Sequence, residues 1–390
     1  MNNKNLFKIH GWVGLVAFIP LLVICLTGSL LTFKYEFENL IRPHMVTVNE
    51  EEKRLSMDVL KDKVNDQFTN REIVGWVLFQ NTQRSDVVYL MEKGTDTWKH
   101  IYLNGYNGDI LSEPALKDDY LTDWLLELHV AFLLDDTGLL ITTLFSLFLI
   151  VLGVTGLMIY KKFWKTLFRV RWKARRILFF SDFHKQVGFL SAPVFLIFGI
   201  TGGYWNITHY LHELEHEHEQ EHKQKEMHFV MKERLYNDEI SIDALMVQAQ
   251  NKLVNFKTTY ITFPYEDGLQ FTLYGDVKTG NPLNSEYAST VSFNRQSGEF
   301  ISDYDIRTAS FLNAFLDSFR PLHFGLFGGL FVRIVWCLVG LIPLILSITG
   351  VYMWWVRREK KQAKRRRLQI FEESKLTDPV DLEEPIQVTG

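Results

Sequence analysis

Four apolar stretches, residues 9–33, 138–160, 187–207 and 330–356, dominate this chain. Each is long enough to cross a hydrocarbon core of ~30 Å at about 1.5 Å per residue. A backbone in lipid must satisfy its own hydrogen bonds, so the stretches predict four membrane helices. The spacing of a few polar residues against them is repeated. His10 precedes Thr27-Gly28 by 17 residues and His184 precedes Thr201-Gly202 by 17, while His129 and His323 precede Thr155-Gly156 and Thr349-Gly350 by 26 each. Such matched offsets mark a tandem duplication.

Orientation follows from Lys and Arg near the span ends. Lys161, Lys162, Lys165, Arg169, Arg171, Lys173, Arg175 and Arg176 crowd the link between the second and third spans, and a basic run at 357–367 follows the fourth. Both regions are expected on the cytoplasmic side, with both termini, and the two long connections on the outer side. The first span is too long for a signal-peptide core and lacks a small-residue cleavage site before Lys34 and Tyr35, so it is expected to be retained. With 42 Lys and Arg against 46 Asp and Glu, the chain carries no basic excess that would suggest a nucleic-acid partner. Cys25 and Cys337, the only cysteines, lie inside spans and cannot build a disulfide framework or a thiolate metal site.

The outer segments repeat each other. The first reads as an amphipathic helix at 56–68, apolar runs at 73–80 and 87–91, and a segment at 101–111 containing Asn104 and Gly108. The second reads as a helix at 241–253, strands at 259–263 and 270–274, and a segment at 291–301 containing Asn294 and Gly298. A helix followed by a small antiparallel meander, with Asn and Gly in its final hairpin, is expected in each. No nucleophile elbow or phosphate loop is visible in either.

The expected fold is therefore an α-helical membrane protein, with four transmembrane helices arranged as a tandem 2+2 duplication and two small α+β outer modules. The expected divisions are 1–33 (first span), 34–121 (first outer module), 122–160 (interfacial helix and second span) and 161–183 (basic cytoplasmic link). They continue with 184–208 (third span), 209–228 (His/Glu-rich segment), 229–312 (second outer module), 313–356 (interfacial segment and fourth span) and 357–390 (tail, basic then acidic, disordered after Arg367). A continuous helix from His129 to Lys161 would measure about 48 Å, too long for the bilayer. A break at Asp135-Asp136-Thr137-Gly138 is expected, leaving His129 on an interfacial helix at 122–134.

The His10, Gly14 and Thr27-Gly28 pattern, the Asp182, His184, Gly188 and Thr201-Gly202 pattern, and the starts Leu128-His129 and Leu322-His323 resemble the PepSY-associated transmembrane family, with its iron-regulated membrane proteins and ferric-siderophore reductases. The resemblance spans residues 5–358 and makes the outer segments PepSY-like modules. It implies b-type haem, and electron transfer across a bacterial inner membrane.

Parallel repeats place equivalent residues at equal depth. His10 and His184 would then share an inner layer and His129 and His323 an outer one, each pair able to hold a haem b through two imidazoles. A single histidine at a helix end is commonly an interfacial anchor; four in register point to ligands. Arg333, inside the fourth span, is expected either to pair with a haem propionate or to snorkel to the interface. Lys185 and Arg320 are weaker propionate partners. His209, His212, His216, His218, His222 and His228 alternate with glutamates. Two pairs, His212 with His216 and His218 with His222, share a helix face at i, i+4 and suit a divalent transition metal. A solvated helix is the competing reading, and His209 or His212 as a substitute outer ligand stays open.

The function expected is a dihaem oxidoreductase that takes electrons from a separate donor, quinol or a cytoplasmic reductase, and passes them to an outer acceptor such as a ferric siderophore or other iron chelate. No nucleotide or flavin fingerprint supplies an internal donor. The alternative is a non-enzymatic PepSY membrane protein that binds or regulates an outer partner such as a protease, or a metal-handling accessory protein.

Overall fold

The computed structural model describes residues 3–161, 163, 169–223 and 231–377; the side chains of 213, 215–223 and 374–377 lie outside that description. The first apolar stretch forms two helices, α1 (Asn3–Val16) and α2 (Phe18–Leu31), bent by 67° where one straight span is expected. Pro20 accounts for the bend. It has no N–H to give the Val16 carbonyl, and its ring crowds that carbonyl. Regular bonding resumes as the Leu21 N–H donates to Ala17 O at 2.9 Å.

Next come α3 (Lys34–Ile41), α4 (Met57–Gln67), β1 (Arg71–Val77), β2 (Asp86–Glu92) and β3 (Trp98–Leu103). Ser56 and, in the second half, Ser241 cap their helices by accepting from the amides of Val59 and Ala244. Then α5 (Leu121–Ala131) and α6 (Asp135–Ile159) meet in a sharp reversal. Phe132, Leu133 and Asp135 have φ of 51°, 60° and 45°, a left-handed run of non-glycine residues. Each such residue costs about 1–2 kcal/mol. The turn is held by the Thr142 hydroxyl, which donates to Val130 O at 2.6 Å, and by Asn206 Nδ2, which donates to Val130 O at 3.1 Å. Gly138 is required here, because a side chain would run into the Ala131 carbonyl.

The second half contains α7 (Arg176–Lys223), α8 (Ile242–Lys252), β4 (Lys257–Thr262), β5 (Phe271–Asp276), β6 (Ser289–Phe293), β7 (Phe300–Tyr304), α9 (Phe311–Asp317), α10 (Phe319–Phe324), α11 (Gly329–Gly340) and α12 (Ile342–Thr377). The turn after α10 uses Gly325 at φ 69°, with none of the strain borne by Phe132. Pro343 interrupts the last span after Gly340, as Pro20 interrupts the first. Helix α12 carries the basic run and reaches Thr377, beyond Arg367 where disorder is expected. Good helix formers such as Lys364, Arg365, Leu368 and Gln369 sustain it.

Among the described residues three helical runs are long and apolar enough to cross a membrane: Asp135–Ile159, Arg176–His212 and Leu326–Glu373. The bent α1–α2 pair makes a fourth if it is counted as one span.

The outer segments do not form two separate sheets. They share one seven-stranded antiparallel sheet, in the order β3-β2-β1-β4-β5-β6-β7. Its seam pairs Gly75 with Thr262, Trp76 with Ile261 and Val77 with Tyr260. Each meander alone would leave β1 or β4 as an open edge, and pairing them satisfies both rows of backbone groups. Leu60 and Val64 of α4 and Leu245 and Ala249 of α8 pack with Ile73, Leu90, Ile261, Phe271, Leu273 and Val291 in one core. The predicted Asn and Gly hairpins form: Gly108 and Gly298 have φ of 77° and 72°, and each donates its N–H to the carbonyl of Asn104 or Asn294.

A buried polar cluster ties this sheet to the membrane helices. Glu38 of α3 accepts from Thr122 Oγ1 at 2.9 Å and from Arg42 at 3.2 Å, and Lys34 pairs with Asp123 of α5. Arg42 also donates to the Tyr102 hydroxyl of β3 and stacks over Tyr120 at 3.8 Å. The helix bearing His129 is thus fixed to the sheet above it.

Candidate functional site

The four histidines meet in two pairs. His10 and His184 have ring centroids 6.3 Å apart, and His129 and His323 have centroids 6.4 Å apart. Two imidazoles coordinating one metal from opposite sides, with metal–nitrogen bonds of about 2.0 Å, would place their ring centres about 6 Å apart. Both pairs meet that requirement, and each takes one member from each half of the chain.

Threonine hydroxyls fix the rings. His10 Nδ1 lies 2.9 Å from Thr155 Oγ1, and His184 Nδ1 lies 2.9 Å from Thr349 Oγ1. In the other layer His129 Nδ1 lies 3.2 Å from Thr27 Oγ1, and His323 Nδ1 lies 2.7 Å from Thr201 Oγ1. Each hydroxyl already donates its proton to the carbonyl four residues back: Thr27 to Val23, Thr155 to Val151, Thr201 to Ile197 and Thr349 to Ile345. A hydroxyl has one proton, so toward histidine it can only accept. Each imidazole therefore carries its proton on Nδ1 and keeps a free lone pair on Nε2, the tautomer of a metal ligand. At His129 the Ile24 carbonyl, 2.9 Å from Nδ1, demands the same tautomer independently.

The glycine after each threonine faces the ring, and at Gly28 and Gly202 its missing side chain is what makes room for it. A Cβ on Gly28, Gly156, Gly202 or Gly350 would stand nearest to Cε1 of His129, His10, His323 or His184 respectively. The Thr-Gly dipeptide thus serves twice, by accepting the ring proton and by letting the imidazole edge approach the backbone. Spacing along the chain relates His10 to Thr27-Gly28 on its own span, whereas the structure packs it against Thr155-Gly156 on the neighbouring span. The four histidines exchange partners in this way throughout.

A cavity of about 670 Å³ opens at the His10/His184 pair. Its walls include His10, Gly14, Leu152, Gly156, His184, Gly188, Phe195 and Gly350, and its mouth includes Lys185, Arg357, Arg358 and Lys361. That volume falls within the ~300–1,000 Å³ range of cofactor sites. Around the outer pair, Phe198, Trp205 and Phe324 ring His323 at centroid distances of 5.8, 5.3 and 5.5 Å. Between the layers lies an apolar cluster of Ala17, Leu21, Leu149 and Phe195, against which Phe145, Phe148 and Phe198 pack.

Arg333 has protein partners. It donates to Glu36 Oε1 at 2.7 Å and Oε2 at 2.8 Å and to Thr32 O at 2.7 Å, and its guanidinium lies 4.6 Å from the Phe33 ring. Its charge is answered at the end of the first span. Arg320 likewise pairs with Glu286 at 2.7 Å. His209 and His212 are exposed on α7, and the side chains of His216, His218 and His222 lie outside the described residues, as does His228. Among the described residues no group of three or more His, Cys, Asp or Glu is placed to hold a metal ion.

Sequence reasoning missed the cavity-facing role of Arg357, Arg358 and Lys361, which it counted only as topology signals. Their register with Gly350 and Trp354 on one helix face was the signal available.

The PepSY-associated TM region model matches residues 7–357, and the chain belongs to that family. Comparison with curated proteins finds no match.

Proposed function

We propose that this chain is a four-span, 2+2 duplicated dihaem oxidoreductase of the bacterial inner membrane. The observation that carries this reading is the pair of imidazole gaps, 6.3 and 6.4 Å between ring centroids, each walled by two Thr-Gly dipeptides. In this reading the bent α1–α2 pair is one span, and both termini lie on the cytoplasmic side with the basic residues of α12.

The His10/His184 pair with its cavity fits a b-type haem, and the His129/His323 pair matches it in imidazole spacing. His10 and His184 would hold one, His129 and His323 the other, and Thr155, Thr349, Thr27 and Thr201 would keep the rings in the ligating tautomer. When bound, the two haems supply reversible one-electron chemistry at iron. The protein's own part is to fix ligand orientation, exclude water with Leu21, Leu149 and Phe195, and keep the layers at a set separation. A separate donor, quinol or a cytoplasmic reductase, would deliver electrons at the His10/His184 end. An extracytoplasmic acceptor, such as a ferric siderophore or ferric iron, would take them near His129 and His323, beneath the sheet.

The test is an absorption spectrum of the purified protein, oxidised and then reduced with dithionite. A six-coordinate low-spin haem signal at two haems per chain is expected, falling to one in His10→Ala and in His129→Ala. A colourless protein from haem-replete cells, or haem content unchanged across all four His→Ala variants, would overturn it.

A further inference from the structure

The inner cavity has an uneven charge distribution. Apart from His10 and His184, its ionisable lining among the described residues is Tyr160, Lys185, Arg357, Arg358 and Lys361, with no aspartate or glutamate. Positive residues after a last span are expected from topology alone, but topology does not require them to line a cavity. Along α12 the lining runs through Pro343, Leu346, Gly350, Trp354, Arg357 and Lys361. These residues form one helix face that passes from apolar to cationic as it leaves the bundle. Glu359, the acid in that stretch, and Lys360 are not among the lining residues. Among the described residues Arg357 and Arg358 contact aromatic rings, Phe7 at 5.0 Å and Trp354 at 5.2 Å, and no carboxylate ion-pairs with them, Lys185 or Lys361.

The cavity's occupant should therefore be apolar at the deep end, beside Leu21, Leu149 and Phe195, and anionic at the mouth. We infer that Lys185, Arg357, Arg358 and Lys361 form a carboxylate-recognition rim that orients the occupant of the inner cavity with its acid groups toward the α12 end. This rests on the haem reading above: the acid groups would be the two propionates. Arginine suits the task because its planar fork matches a carboxylate through paired N–H bonds. Insertion would then proceed through the basic mouth, apolar edge first.

The test compares iron protoporphyrin with its dimethyl ester, which keeps the macrocycle and removes both charges. Full-length apoprotein carrying His129→Ala and His323→Ala, so that only the inner pair remains, is titrated with each in detergent and followed by absorbance. The free acid should bind at least about tenfold more tightly than the ester, as expected for charge-assisted bonds. Adding Arg357→Gln, Arg358→Gln and Lys361→Gln, which leaves Lys185 alone at the rim, should cut that preference severalfold while leaving the bis-imidazole spectrum in place. Equal binding of acid and ester by the parent protein, or a preference undiminished by the triple change, overturns the rim. The acid-versus-ester comparison on the parent needs no folded triple variant. A protein that takes up neither porphyrin overturns the haem reading, and the rim with it.

Discussion

Asp58 and Asp243 cap each other's helices. The carboxylate of Asp243 accepts from the amides of Met57 and Asp58 at 3.1 and 3.0 Å, and that of Asp58 accepts from the Ile242 amide at 2.6 Å and from the Ser241 hydroxyl. Helices α4 and α8, one from each outer segment, therefore meet end to end with their exposed N–H groups satisfied reciprocally. The favourable interaction of a carboxylate with a helix N-terminus adds to both bonds. Asp58→Ala and Asp243→Ala should each cost about 1–2 kcal/mol. Because both caps secure the same junction, the double variant should lose less than the sum, with a coupling of about 0.5 kcal/mol or more. Denaturant unfolding of the detergent-solubilised protein checks this; strict additivity would show the two caps to be independent.

The Thr155 hydroxyl sets the His10 tautomer only while it donates to Val151 O and accepts from Nδ1. Thr155→Val keeps the shape and removes the acceptor. Its N–H is then left with only the Leu152 backbone carbonyl, and the ring is held less firmly in orientation and tautomer. Losing such a partner typically weakens metal affinity about 10–100-fold. Haem titration in a background with only the inner pair should show that loss for Thr155→Val and Thr349→Val, while Thr155→Ser retains near-parental affinity. Parental affinity in both valine variants would show that the hydroxyls are not needed to orient the ligands.

His100 of β3 is buried with its Nε2 3.9 Å from Asp123 Oδ2, and burial holds its pKa below the ordinary 6.5, with the Asp123 charge opposing that shift. The unfolded chain therefore takes up this proton at higher pH than the folded one. Between the two pKa values the unfolded state binds more protons, so stability from this group is full above 6.5 and is lost as pH falls toward the folded value. Melting curves from about pH 7 to about pH 5 should show a steeper fall for the parent than for His100→Asn. Parallel curves would mean that His100 contributes nothing to the acid-side loss.

Much of this arrangement was legible in the sequence, and the limits have physical causes. The offsets of His10, His129, His184 and His323 from Thr-Gly pointed to the pairing of His10 with His184 and of His129 with His323, because equal spacing on equivalent helices gives equal depth. They could not reveal that His10 packs on Thr155, since register along one helix says nothing about which neighbour it faces. The bend at Ala17 was available from Pro20, which leaves the Val16 carbonyl, four residues upstream, without its helical partner. The joined sheet was not legible, because two short meanders read alike whether each stands alone or they pair edge to edge. Arg333 was conspicuous as an ionisable group within a span, but its partner Glu36 belongs to the other end of the chain. Only tertiary packing brings them together.

Gly28 and Gly156 each follow a threonine that holds a histidine ring yet differ in clearance, which gives a sharp test of the His129/His323 pair. A Cβ at Gly28 would stand 2.7 Å from His129 Cε1, closer than real contacts allow, whereas one at Gly156 would stand 3.6 Å from His10 Cε1, an ordinary contact. The His129 ring has little freedom to retreat, because its Nδ1 is engaged by both Ile24 O and Thr27 Oγ1. Gly28→Ala must therefore break those bonds or displace α5. The expected result is selective loss or perturbation of the outer haem signal with the inner one intact. Gly156→Ala should leave both signals unchanged and, by relieving a glycine within α6, raise stability by roughly 0.5–1 kcal/mol. Gly202, where the clearance to His323 is 3.3 Å, should fall between them. Reduced-minus-oxidised spectra of the three variants, scaled to protein, measure the order directly. If Gly28→Ala keeps an unperturbed outer signal while Gly156→Ala loses the inner one, the glycines do not act by making room for the imidazoles.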